Sequence, residues 1–273
     1  MILLFSYIFN LSPTFYDRKT FFGVNFLSSN IEELIQKLGD SNTKVRLDAA
    51  NELASIGDEA LDPVTKLLEH EDYTYRRIAA YILGKMGKPE SVEILVEALG
   101  DDNADVRKSA AQALNRIGKP SIPLLIRALG NISKDVRASA VWSLSKMGAM
   151  AVEPLLETLH SEVKDIRASG VWALTKLGRV SIKPLIKLIT HEEKNTRESA
   201  IWGLAKLGAP AVEELAKIWN VRIGKEAIEG ESETDSVDID DLIAGGENAI
   251  KQWIKFMLEN KPNAKELIDQ MED

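Results

Sequence analysis

The sequence predicts an all-α protein, a solenoid of stacked helix pairs with a helical C-terminal extension. Three observations carry that prediction. First, arginines recur at Arg46, Arg76, Arg107, Arg137, Arg167 and Arg197, in steps of 30, 31, 30, 30 and 30 residues. Each is followed eleven residues later by a glycine: Gly57, Gly87, Gly118, Gly148, Gly178 and Gly208. Second, small or apolar residues fall at offsets of minus one, plus three, plus four, plus seven and plus ten from the arginine; in the fifth copy these are Ile166, Gly170, Val171, Leu174 and Leu177. Those offsets share one stripe of an α-helix. Third, a second apolar run follows the glycine, as in Val152–Leu159 and Ile182–Ile189. One helix pair cannot bury its own apolar face, but a stack of such pairs can, and a fixed period of this length is the mark of that architecture.

Residues 1–29 are an atypical hydrophobic extension. Six of the seven phenylalanines lie there, and no alanine precedes Ala49. The apolar run Met1–Leu11 is shorter than the ~20 residues a membrane-spanning helix needs. It also lacks the basic start and small-residue cleavage site of a secretory signal. A wrongly assigned start or other non-native extension ranks first, a hydrophobic cap over the first repeat second, and a membrane anchor last. Asn30 is placed to cap a helix over Asn30–Leu38, with Glu33 completing a capping box. That helix is the second half of an incomplete leading repeat, and residues 30–220 then hold this half-repeat and six full copies.

Within each copy the glycine ends the first helix, where a positive φ costs it nothing. Pro63, Pro154 and Pro184 stand six residues after their glycines, which places them in the first turn of the second helix, where proline is tolerated. Residues 221–273 leave the register as an acidic linker and C-terminal helices. Glu231–Asp241 carries six acids in eleven residues and suits a disordered linker or an interaction segment. Ile250, Ile254 and Met257 have helical spacing over Glu247–Asn260, with Trp253 and Phe256 beside them. Pro262 ends that helix, and Asn263–Met271 is expected to form the last one.

Charge is distributed unevenly. Residues 221–273 hold 14 acidic and six basic side chains, an excess that equals the whole formal charge of −8, so the preceding 220 residues balance at 28 of each sign. The absence of cysteine excludes disulfides and thiolate metal sites and fits a reducing cytoplasm.

Val106-Arg107 with Ala110-Ala111, Val136-Arg137, Ile166-Arg167, and Arg197 with Ala200, each followed by the glycine and the second apolar run, resemble HEAT repeats of the phycobilisome-lyase type. The first two copies are looser, with Tyr75 in the usual valine position. The resemblance covers roughly residues 31–220 and implies a right-handed α–α superhelix, a HEAT-like solenoid of the armadillo type. It also implies that the first helices line the concave side, and that the arginines, with Asp105, Asp135 and Asp165 two residues before three of them, form a structural ladder between repeats.

One surface row points to binding. Five residues after the arginines stand Asn51, Tyr81, Gln112, Trp142, Trp172 and Trp202; nine after them stand Ser55, Lys85, Arg116, Lys146, Lys176 and Lys206. These offsets are neighbours on one helix face, off the apolar stripe. Tyr81/Lys85, Gln112/Arg116, Trp142/Lys146, Trp172/Lys176 and Trp202/Lys206 are therefore the candidate partner-binding residues. Large aromatic side chains give contact area at low entropic cost. The competing reading makes the indoles packing residues between helices. The expected function is a non-catalytic scaffold for a protein or acidic peptide in the concave groove, with nucleic acid second because the repeats are neutral. The acidic segment 231–241 is a further occupant, folding back onto the Lys146/Lys176/Lys206 row.

No catalytic residue, metal ligand or cofactor is expected, and no membrane partner. No Ser–His–Asp grouping, P-loop or G-x-G-x-x-G is present. His70-Glu71 and His191-Glu192 are similar to the His-Glu pairs of HEAT-type deoxyhypusine hydroxylases. Here, however, they precede the arginine by six residues, where other copies have Asp40, Asp101 and Asn131, so they are turn residues. Bilin lyase activity, which the family resemblance brings with it, ranks as the enzymatic alternative.

Overall fold

The computed structural model describes residues 18–224, 232 and 234–271, with side chains from Ser28 onward. They fall into two compact units, one ending at Met86 and the other beginning at Gly87, at the turn where the repeat step is 31 instead of 30. The architecture is all-α, a HEAT-like helical repeat. Among the described residues the exception is a two-residue strand pair in the tail.

The first unit holds α1 (Arg18–Lys37), α2 (Thr43–Ile56), α3 (Asp58–Lys66) and α4 (Tyr73–Met86). Ile31, Leu34 and Leu38 are buried, as are Leu53, Ala60 and Val64 opposite them. The expected cap at Asn30 does not form. α1 runs straight through it, because Val24, Leu27, Ile31 and Leu34 continue one helical spacing past the asparagine, and the helix crosses the expected boundary at residue 29. α2 does open on an asparagine: Asn42 Oδ1 accepts from Lys44 N–H at 2.9 Å. Pro63 also departs from expectation. It lies well inside α3, because Gly57 leads directly into the helix at Asp58.

The second unit holds first helices α6 (Ala104–Ile117), α8 (Lys134–Lys146), α10 (Lys164–Leu177) and α12 (Lys194–Leu207). Its second helices are α5 (Val92–Glu97), α7 (Ile122–Ala128), α9 (Val152–Glu157), α11 (Ile182–Leu188) and α13 (Ala209–Ile218). First helices pack on first helices, and second on second, in chain order. In α9 and α11 a 3₁₀ turn follows the glycine, so Pro154 and Pro184 are third residues of their helices, in the first turn as expected. Most of the predicted stripe is the core: Val106, Ala110, Ala111 and Leu114 are buried, and so are Ala140, Val141 and Leu144, Val171 and Leu174, and Ala200, Ile201 and Leu204, whereas Ile166 and the plus-ten residues Ile117, Leu177 and Leu207 are half-buried. In the fifth copy Gly170 takes the place of an alanine, because a Cβ there would run into the Thr158 hydroxyl. Buried Ser121 and Ser181 donate to Leu114 O (2.9 Å) and Leu174 O (2.7 Å), satisfying carbonyls near the end of each first helix.

All six repeat glycines have positive φ, from 63° to 81°. At Gly178 the pair is φ 74°, ψ −136°, a region open to glycine and closed to residues with a Cβ, not the left-handed helical region. A Cβ there would meet nothing within 4 Å, so backbone conformation alone selects the residue.

The tail is built onto the last repeat. β1 (Arg222–Ile223) pairs parallel with β2 (Ser236–Val237), followed by α14 (Ile239–Ala244), α15 (Gly246–Asn260) and α16 (Ala264–Asp269). The described part of 231–241 is thus ordered: Asp238 Oδ1 caps α14 by accepting from Asp240 N–H at 2.9 Å. Trp219 is fully buried, donates its indole N–H to Ala264 O at 3.0 Å, and meets Trp253 edge to face at 5.5 Å. α15 packs on α12 and, through these rings, over the end of α13.

Candidate interaction surface

The arginine column has one geometry in all six copies. Each Nη1 donates to the carbonyls six and five residues upstream: for Arg167, Ser161 O at 2.7 Å and Glu162 O at 2.9 Å. The same pair is made by Arg46, Arg76, Arg107, Arg137 and Arg197. Each arginine therefore fastens the turn that leads into its own helix. The expected Asp–Arg ladder between repeats is not the arrangement found. Asp105, Asp135 and Asp165 lie in the first turns of α6, α8 and α10, where a carboxylate favours the positive end of the helix.

The same turn fixes the histidines. The residue six before each arginine accepts, through its side chain, the backbone N–H two residues on. Asp40 takes Asn42 N–H (2.7 Å), Asp101 takes Asn103 N–H (2.8 Å) and Asn131 takes Ser133 N–H (2.8 Å). His70 does so with Nδ1 for Asp72 N–H (3.0 Å), and His191 for Glu193 N–H (3.1 Å). Both histidines mimic an Asx turn. An acceptor Nδ1 puts the ring proton on Nε2.

Successive turns also bring His160 within 4.7 Å of His191, ring centroid to centroid, and within 3.3 Å of Glu193 Oε2. Thr196, whose hydroxyl lies 3.0 Å from the same carboxylate, and then His160 hold Glu193 below the ordinary carboxylate range. His160, His191 and Glu193 are the group with metal-ligating side chains together among the described residues. His191, protonated on Nε2 by its turn bond, presents no lone pair there for an ion. The periodic reading overlooked His160 because it stands seven residues before its arginine, one off the histidine column.

In the first unit the row is closed on itself: Lys85 Nζ donates to Asn51 Oδ1 at 2.6 Å, and Tyr81 OH lies 3.4 Å from the same atom. In the second unit Gln112, Arg116, Lys146, Lys176 and Lys206 are all exposed. Trp142 is 38% and Trp172 49% exposed, whereas Trp202 is half-buried. Trp142 and Trp172 are therefore on the surface, whereas Trp202 is partly covered by α15. Trp142 overhangs a cleft of about 330 Å³ floored by Ala111 and Ala138. Trp172 and Trp202 line one of about 570 Å³, together with Ala138, Ala168, Asp135, Asp165 and Lys206. Lys146 lies 5.8 Å from the Trp142 ring centroid and Lys206 5.2 Å from that of Trp202, within reach of a cation–π attraction.

Among the described residues, the acid that reaches this row lies outside the expected segment 231–241, of which Glu231 and Glu233 fall outside the described residues. Glu247, at the start of α15, accepts from Lys206 Nζ at 2.8 Å. Within 231–241, Asp235 instead meets Lys261 at 3.1 Å. The Lys206 bond, with the Trp202 indole contributing, holds Glu247 below the usual carboxylate range. No described helix is long and apolar enough to cross a membrane.

Residues 31–115, 95–175 and 152–227 match the family model described as HEAT repeats. The phycocyanin operon protein Z of Pseudanabaena tenuis is 36% identical over 89 residues, covering 32% of this chain and 44% of that protein. Phycocyanobilin lyase subunit beta of Thermosynechococcus vestitus is 31% identical over 94 residues, covering 34% of this chain and 44% of that protein. The chain thus spans less than half the length of these two curated relatives. Among solved structures, the complex of CpcE and CpcF of phycocyanin lyase from Nostoc aligns over 64% of this chain and 98% of that one, at 18% identity and a TM-score of 0.33.

Proposed function

Because this chain belongs to the HEAT-repeat family, we propose that it is a non-catalytic interaction scaffold that takes a protein or acidic peptide on the first-helix face of its second unit. One observation carries the reading: Trp142 and Trp172 stand exposed, in register, over clefts floored by alanine. Flat aromatic surface held rigid on a helix is what binding hot spots are made of. Lys146 and Lys176 add charge that no described carboxylate neutralises. The arginine column serves as structure, since each Nη1 is committed to two turn carbonyls, and the described tail helices α14, α15 and α16 serve as an end cap. The test is affinity capture with the full chain against a Trp142→Ala/Trp172→Ala variant whose helicity is checked by circular dichroism. Loss of the same partners from a folded variant supports the reading, and equal recovery ends it.

A role related to bilin lyases is the second reading. The likeness of about a third of the chain to a phycocyanobilin lyase subunit favours it, although shared repeats do not fix function. A change in absorbance on mixing the full chain with free phycocyanobilin and apo-phycocyanin would support it.

A further inference from the structure

Three tryptophan–lysine pairs share one offset on the first helices of the second unit, with the ammonium near the ring at Trp142/Lys146 and Trp202/Lys206, and what faces them differs. At the C-terminal pair, α15 runs antiparallel to α12. Glu247, Lys251 and Lys255, four residues apart, meet Lys206, Trp202 and Glu198, also four apart, at 2.8 Å, 6.0 Å (to the ring centroid) and 2.9 Å. The carboxylate of Glu247 thus sits where the ammonium and the indole converge. Trp172/Lys176 and Trp142/Lys146 repeat the same residues at the same offsets. At the offset of Glu198 they have Ala168 and Ala138, which line clefts beside the two indoles and offer no carboxylate there. Neither Lys146 nor Lys176 has an anionic partner among the described residues.

We propose that Trp142/Lys146 and Trp172/Lys176 are carboxylate-reading sites of the kind Glu247 fills at Trp202/Lys206, and that their ligand is an acidic peptide segment of a partner protein. The inference rests on the functional reading above and gives its ligand a register. Packed helices lie ~8–10 Å apart. A polyproline II chain advances ~9 Å every three residues and returns to the same face. An acid at every third residue would therefore meet one lysine per repeat.

The test titrates the full chain with a twelve-residue peptide bearing glutamate at every third position between proline pairs, and with its glutamine counterpart, followed by intrinsic tryptophan fluorescence. The glutamate peptide is expected to bind and the glutamine peptide not. Lys146→Ala and Lys176→Ala should each weaken binding about three- to fivefold, the scale of one exposed ion pair. Glu247→Gln should strengthen it by a similar factor, because it releases Lys206 for the peptide. Equal binding of the two peptides, no binding of either, or lysine variants that bind like wild type would each overturn the carboxylate assignment. So would an oligothymidylate that binds more tightly than the glutamate peptide with the same lysine dependence, which would make the face a nucleic-acid surface. The broader reading fails differently: if the glutamine peptide binds and Trp142→Ala/Trp172→Ala abolishes that binding, the face recognises peptides without reading acids; if bound peptide is indifferent to both indoles, the face itself is wrong.

Discussion

Trp172 and Trp202 occupy the same offset in neighbouring repeats with the same lysine four residues on, yet one is 49% exposed and the other half-buried. The difference comes from outside the repeat. α15 lays Lys251 across the Trp202 ring and Glu247 against Lys206, while Trp172 stands exposed at a cleft that it shares with the uncovered edge of Trp202. A repeat motif therefore specifies which side chains share a face, and the next layer decides whether that face is covered.

The largest way to break this contrast is at the anchor of the closed end. Trp219→Ala removes a fully buried indole, its bond to Ala264 O and its edge contact with Trp253. It should cost ~3–5 kcal/mol by urea unfolding and raise the solvent quenching of Trp202 toward that of Trp172. For the same reason, truncating the tail would strip the end of the core as well as uncover the row, so point variants of the contact separate the two effects.

Next comes the turn that holds each helix in place. Arg167→Ala leaves Ser161 O and Glu162 O without their guanidinium donor and should cost ~1–2 kcal/mol in thermal or urea unfolding. Asp165→Asn, which weakens a helix-terminus charge effect, should cost ~0.3–1 kcal/mol. Equal losses would show that the aspartate is part of the arginine's support.

Gly170→Ala tests packing beneath the row. The added methyl meets the Thr158 hydroxyl, and a loss of ~1–2 kcal/mol is expected. Thr158→Ala in the same chain should recover most of it, because the hydroxyl is then gone.

The smallest effect is electrostatic. Glu247→Gln should lower stability by less than about 1 kcal/mol, since both partners are partly exposed and water screens them, while unmasking Lys206. The pH dependence has a definite sign. Lys206 holds Glu247 below its ordinary value of 4.5. A lowered folded-state pKa means that the contact's contribution is complete above the unfolded value and disappears as pH falls through the folded one. Tail docking, read as Trp202 fluorescence, should therefore loosen on acidification below the ordinary carboxylate range, and Glu247→Gln should abolish that step.

The helix pairs, the six glycine turns and the buried stripe were legible because each recurs in register with a single physical cause. The histidines were legible too, once aligned with Asp40, Asp101 and Asn131, whose side chains accept the same backbone hydrogen. Non-periodic contacts were not. Glu247 reaches Lys206 across 41 residues, and no spacing rule foretells which of 14 tail acids will do so. Asn30 carried a local capping signal that apolar spacing on both sides overrode. The arginine column recurs in register, but the ladder expected of it was not legible, because its acceptors are main-chain carbonyls of its own turn, which carry no residue identity to read.

The central claim is that the indoles of the second unit form an open recognition face closed only at its C-terminal end. Hydroxyl-radical footprinting of the full chain, free and with a bound partner, tests it most directly by reporting each tryptophan separately. Trp142 and Trp172 should oxidise readily in the free protein and be protected in the complex, with Trp202 intermediate and Trp219 unreactive in both. Trp142 and Trp172 unreactive when free, or equally reactive in the complex, would contradict it.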